Sequence, residues 1–182
     1  MYTQIDSSNA IAESIEDNNI YGPYGYHVAE GCTGTLSPLG RWCDQGNGTV
    51  KDMTTKLIWL KDGGWGSGKI WADCSTWDDA HTKAAMLESG MAGLSDGSTD
   101  KDWRLPTSSE LHSIIEGIEY IRTTQMYFFT NVQEWYWTST TTDLNYANYS
   151  TADAVRMTDG QWAGGLLKTG NSLGVWPVRG GH

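Results

Sequence analysis

Apolar positions change their period several times along this chain, and each change marks an element. Thr49-Val50 and the run Leu57-Ile58-Trp59-Leu60 flank a polar turn and follow turn-forming Gly46-Asn47-Gly48, which predicts a β-hairpin. Trp77, Ala80, Ala84, Leu87 and Met91 then recur at three- and four-residue steps. That spacing predicts a helix, capped by Ser75 with Asp78 three residues on and ended by Gly90 and Gly93. His81 sits on it as a surface or boundary histidine. In "DWRLPTSSEL" (102–111), Thr107 and Glu110 form a T-x-x-E capping box behind Pro106. Leu111, Ile114, Ile115 and Ile118 supply the buried stripe of a second helix.

Beyond that helix the pattern returns to strands. "EWYWTSTTT" is aromatic and β-branched, "ADAVRM" is a short strand, "TDGQW" turns into another, and "GVWPVRGG" is a final strand interrupted by Pro177. Two strands, two helices and several further strands make the expected class α+β. Ahead of them, Ile11, Ile15 and Ile20 recur among acids until "YGPYGY" breaks the pattern. Residues 1–30 therefore read as an extension with a short helix that packs on the domain or on another subunit of a homo-oligomer, and 31–182 as the domain.

Within that domain Trp103, Leu111, Ile114, Trp137, Val155 and Val178 are expected to be buried together. Arg104 should be held by carboxylates or by helix carbonyls, with Asp102 a candidate partner. No nucleophile or general base is grouped with Arg104 in the sequence, so its expected role is structural.

Composition narrows the function. Ten Trp, nine Tyr and 22 Gly in 182 residues fit a loop-rich β protein with an aromatic core. A net charge of −10, from 12 basic against 22 acidic residues, opposes binding to a phosphate backbone, so no nucleic-acid partner is expected. No apolar run approaches the ~20 residues that cross a bilayer, and the N-terminal residues lack a basic-then-apolar signal pattern. Cys32, Cys43 and Cys74 match no zinc or CxxC spacing. Either Cys32 and Cys43 close a surface loop with Cys74 buried, or all three are buried free thiols.

The strings "GNGTVKDMTTKLIWLKD", "DWRLPTSSEL", "YWTSTT" and "VWPVRGG", in this order across residues 40 to 181, resemble a bacterial domain family typified by the C-terminal domain of the Legionella collagen-like adhesin. The resemblance implies a C-type lectin-like fold. In it the N- and C-terminal strands pair, two helices flank a small mixed or antiparallel sheet, and a loop-rich second sheet carries the ligand. The fold is shared with formylglycine-generating enzymes and with the variable proteins of diversity-generating retroelements. An oxidase of the former kind needs a reactive cysteine pair in its C-terminal half, and no Cys follows Cys74. The Glu-Pro-Asn, Gln-Pro-Asp and Trp-Asn-Asp strings of calcium-dependent sugar binders are also missing, so no metal and no cofactor are expected.

The expected ligand face lies in "TTTDLNYANYSTADAVRMTDGQWAGG". Asp143, Asn145, Tyr146, Asn148, Tyr149 and Asp153, with Arg156, Gln161, Trp162 and Asn171, have the Tyr/Asn-rich character of a recognition surface. Asn145, Tyr146, Asn148, Tyr149, Asp153, Arg156, Gln161 and Trp162 are expected to be largely exposed and to converge; a polar loop with its tyrosines folded onto the sheet is the alternative. Asn, Tyr, Asp, Ser and Thr are also the residues that retroelement mutagenesis of adenines produces, as the resemblance implies. Two function classes follow. One is a binding module for a protein or glycan, displayed outside the cell on a cell or virion surface. The other is an enzyme using Glu110, Glu116 or Glu134 with His112. Binding is favoured, because Glu110 belongs to the cap and positions i and i+2 of a helix diverge.

Overall fold

The computed structural model describes residues 31–65, 77–116, 128–141, 151–169 and 171–180. Strands begin ahead of the expected hairpin, at Thr35–Leu36 (β1) and Trp42–Asp44 (β2). Gly46 and Gly48, at φ +73° and +86°, turn β2 into Thr49–Asp52 (β3). A Cβ on Gly48 would also come within 2.7 Å of the Gly93 carbonyl oxygen, so glycine is required there twice over. β3 pairs antiparallel with Leu57–Leu60 (β4), Val50 facing Trp59. Cys32 and Cys43 form a disulfide that fastens the chain ahead of β1 to β2. Cys74 lies outside the described residues.

The turn between β3 and β4 is organised by one carboxylate. Asp52, fully buried, accepts from the Thr54 N–H at 2.8 Å and from Arg41 Nη2 at 2.9 Å. Arg41 Nη2 also donates to the Ser113 carbonyl at 2.6 Å, tying this corner to the second helix. A buried charge needs such a partner to be tolerated.

The first helix, α1, spans Trp77–Ala85 and ends five residues before Gly90. The physical reason is a competing partner. The Ala85 carbonyl accepts from Lys101 N–H at 2.7 Å, and Ser89 N–H donates to Ser98 at 2.9 Å, so the chain leaves the helix to pair with its own returning segment. Ala80, Ala84 and Leu87 are buried as the spacing predicts, whereas Met91 falls beyond the helix and is 39% exposed. The second helix, α2, spans Ser108–Glu116. Its capping box is formed: Glu110 N–H donates to Thr107 Oγ1 at 3.2 Å, and Thr107 N–H donates to Glu110 Oε2 at 2.7 Å.

Trp135–Thr141 (β5), Thr151–Arg156 (β6) and Trp162–Leu167 (β7) form a separate antiparallel sheet, and Val178–Gly180 (β8) follows. The larger sheet runs β1-β2-β3-β4-β8, so the last strand returns to the first hairpin, with Ile58 opposite Arg179. Pro177 has no N–H to give a ladder, and β8 starts after it; its carbonyl still accepts from Leu60 N–H at 3.1 Å. Helix α2 packs on β5 and β6, and α1 on β5. The architecture is α+β, with two antiparallel sheets and two helices among the described residues.

Trp42, Trp59, Phe129 and Trp176 are the centre of the main core, with edge-to-face rings 5.0 to 5.7 Å apart. Trp103, Leu111, Ile114, Val155 and Val178 join it. Trp137 is equally buried but belongs to a second cluster with Ala80, Ala84, Leu105 and Ala154. Successive strand residues face opposite ways. Tyr136 therefore enters the first core and its neighbour Trp137 the second.

Candidate functional site

Arg104 is held by Glu110, not by Asp102. Its Nη1 and Nη2 meet Glu110 Oε2 and Oε1 at 2.8 and 2.7 Å, while its backbone exchanges hydrogen bonds of 3.0 and 2.9 Å with Val178. Asp102 is turned away because its carboxylate accepts the Thr99 N–H at 2.7 Å, closing the turn from Thr99. Burial pushes the Glu110 carboxyl up, but the Arg104 guanidinium and the Thr107 N–H outweigh it and hold the group below its usual range.

His112, expected to diverge from Glu110, does so. Its Nδ1 meets the Ser108 carbonyl at 3.0 Å and its Nε2 the Gly160 carbonyl at 2.8 Å. The imidazole thus joins α2 to the turn between β6 and β7. Glu134 is exposed at the start of β5, and the Glu116 side chain lies outside the described residues. Among the described residues, Glu110, Glu134 and His112 are not gathered into an acid–base set.

Asp143, Asn145, Tyr146, Asn148 and Tyr149 lie outside the described residues. Asp153, expected at the surface, is 3% exposed. It sits in β6, the central strand of its sheet, where every residue from Thr151 to Val155 is buried between the neighbouring strands and the packed helices. Arg156 is half-buried instead of open, lying over the Trp135 ring at 5.3 Å and donating to Asp159 from Nε at 2.9 Å. Asp159 also accepts the Gln161 N–H at 3.0 Å. The Arg156 hydrogen bond leads the effects that bring its carboxyl down to about 2.

Gln161 and Trp162 are exposed, as expected, Trp162 at 53%. Trp162 opens β7, an outer strand of the small sheet, and Gln161 directly precedes it. At the other end of β7, Asn171 is half-buried and donates from Nδ2 to the Leu167 carbonyl at 3.1 Å. Gly164 went unnoticed in the sequence: a Cβ built on it would stand 2.5 and 2.6 Å from Cζ2 and Cη2 of Trp162. The Gly164-Gly165 pair after a tryptophan was the available signal, since glycine inside a strand marks a bulge or a close approach. The ladder between β6 and β7 is indeed irregular there.

Among the described residues, no three His, Cys, Asp or Glu side chains are gathered so that they can hold a metal ion. No described helix is long and apolar enough to cross a membrane. The family model for the Lcl C-terminal domain matches residues 48–179, a span from the turn before β3 into β8. No curated protein and no solved structure matches the chain.

Proposed function

The chain belongs to the Lcl C-terminal domain family, and from that premise we propose that it is a non-enzymatic, adhesin-type ligand-binding domain held at a cell or virion surface. Its ligand face lies in the C-terminal half. The observation that carries this reading is the 53% exposed indole of Trp162, directly after exposed Gln161 and on an outer strand of the small sheet. An exposed indole beside polar groups suits a recognition surface, where a rigid aromatic gives large contact area at low entropic cost. In sequence, the Tyr- and Asn-rich stretch 142–150 joins β5 to β6 of that same sheet. The return of β8 to the first hairpin, with two helices on the small sheet, supports a C-type lectin-like fold.

The engagement of Glu110 by Arg104 and of His112 by two carbonyls supports binding over catalysis. Diversification by a retroelement is the finer form of the reading, supported by the density of Asn, Tyr, Asp, Ser and Thr between Asp143 and Asp153. Copies of the gene should then differ at adenine positions in this segment and not in the codons for "VWPVRGG".

The direct experiment is to screen the full chain against cell-surface proteins and glycans, then repeat with Tyr146 and Tyr149 changed to Ala. Loss of the captured ligand at unchanged melting temperature is the expected result. A ligand that maps to the large sheet, or one that is chemically altered by the protein, would overturn the proposal.

A further inference from the structure

Trp162 is set on the strand in a way that only glycine two residues later allows. With a Cβ at position 164, Cζ2, Cη2 and Cε2 of the indole would be met at 2.5, 2.6 and 3.2 Å. The six-membered ring therefore rests against the Gly164 backbone, and over half of the residue remains open to solvent.

Its surroundings decide what can cover it. A protein partner docking through apolar contact needs a broad patch, yet the residues leading into Trp162 are Thr158, Asp159, Gly160 and Gln161, and those after it include two glycines. Leu167, at the far end of β7, is the next exposed large apolar residue of that strand. The nearby cation does not compete for the ring, because Arg156 is bound by Asp159 and lies over Trp135. Among the described residues of this turn and strand, what remains around Trp162 is a flat apolar disc beside hydrogen-bonding groups. An indole face is electron-rich and attracts the polarised C–H face of a ring whose rim carries hydroxyls. A net charge of −10 opposes sulfated or otherwise polyanionic ligands.

We infer that Trp162 is a stacking platform for a neutral pyranose ring, laid against Gly164 and flanked by the polar turn at 158–161. This rests on the adhesin reading above and names its ligand class. The hydroxyl rim would find the Gln161 amide and the Asp159 carboxylate within the same turn. That turn is held by Arg156 and by the hydrogen bond between Gly160 and His112.

The test uses the full chain, a panel of neutral oligosaccharides (gluco-, galacto-, manno- and N-acetylhexosamine types), heparin, and the variants W162A, W162F and G164A. The expected result is binding of at least one neutral type, undiminished by high salt, with an affinity loss of roughly tenfold or more for W162A and a smaller loss for W162F. G164A keeps the indole but displaces it, so it should also weaken binding while the melting temperature stays close to that of the parent. A neutral sugar bound equally well by W162A and G164A would overturn the platform and leave the adhesin reading standing. So would binding confined to heparin or to a protein ligand. Cleavage or modification of the sugar would overturn the adhesin reading itself.

Discussion

Arg104 and Glu110 meet through two parallel hydrogen bonds of 2.8 and 2.7 Å, and the same carboxylate receives the Thr107 N–H at 2.7 Å. One side chain thus caps α2 and anchors the segment that bridges to Val178, the first residue of β8. Changing Glu110 to Gln should cost about 1–3 kcal/mol, since both a charged fork and part of a cap are lost. R104A should cost a similar amount, and the double variant less than the sum, by urea unfolding.

The same pair sets an acid dependence. Glu110 is held below its ordinary carboxyl range in the folded protein, first against the effect of burial and then by Arg104 and Thr107. A depressed carboxyl contributes stability that is present above its unfolded value and lost as pH falls through the folded one. Stability of the parent should therefore decline below the ordinary glutamate range more steeply than that of E110Q.

Asp159 offers a direct titration. Its carboxyl is lowered to about 2, chiefly by the Arg156 hydrogen bond. Carbon-13 NMR of the side chain should follow that midpoint in the parent, and R156A should move it up toward the ordinary aspartate range. A midpoint unaffected by R156A would exclude the ion pair as its cause.

Trp103 is 1% exposed within the main core. W103A should cost about 3–5 kcal/mol, enough to unfold a marginal domain. Its buried Nε1 finds no acceptor among the described residues, so W103F should lose volume without breaking a hydrogen bond and should cost clearly less. Thermal unfolding of the two variants side by side gives the comparison.

Cys32 and Cys43 are joined. Without reductant, alkylation of the unfolded chain should label at most Cys74, and reduction should expose two more thiols by mass spectrometry. Closing a short loop of this kind contributes about 2–3 kcal/mol, so the reduced protein should unfold at lower denaturant concentration.

What was legible in the sequence was local. The T-x-x-E box, the stripe of Leu111 and Ile114, and the hairpin of β3 and β4 are decided by contacts between residues a few positions apart, and each formed as its pattern predicts. Even the exposure of Gln161 and Trp162 follows from a short turn opening a strand. The match of residues 48–179 to the Lcl C-terminal domain agrees with four separated strings read along the chain.

Tertiary structure alone decided the rest, because distant partners outweigh local propensity. Helix α1 stops at Ala85 since Lys101 claims its carbonyl. Arg104 prefers Glu110 because Thr99 has already taken Asp102. Asp153 is buried because β6 lies between β5 and β7, a placement no alternation within "ADAVRM" can specify. Trp137 parts from the main core because a strand covered on both faces sends neighbouring side chains into different clusters. Periodicity states that a residue is buried or exposed relative to its own element; which element lies against that face is set by chain closure, here by β8 returning 120 positions to pair with β4, Ile58 facing Arg179 and Trp59 facing Val178 at about that separation.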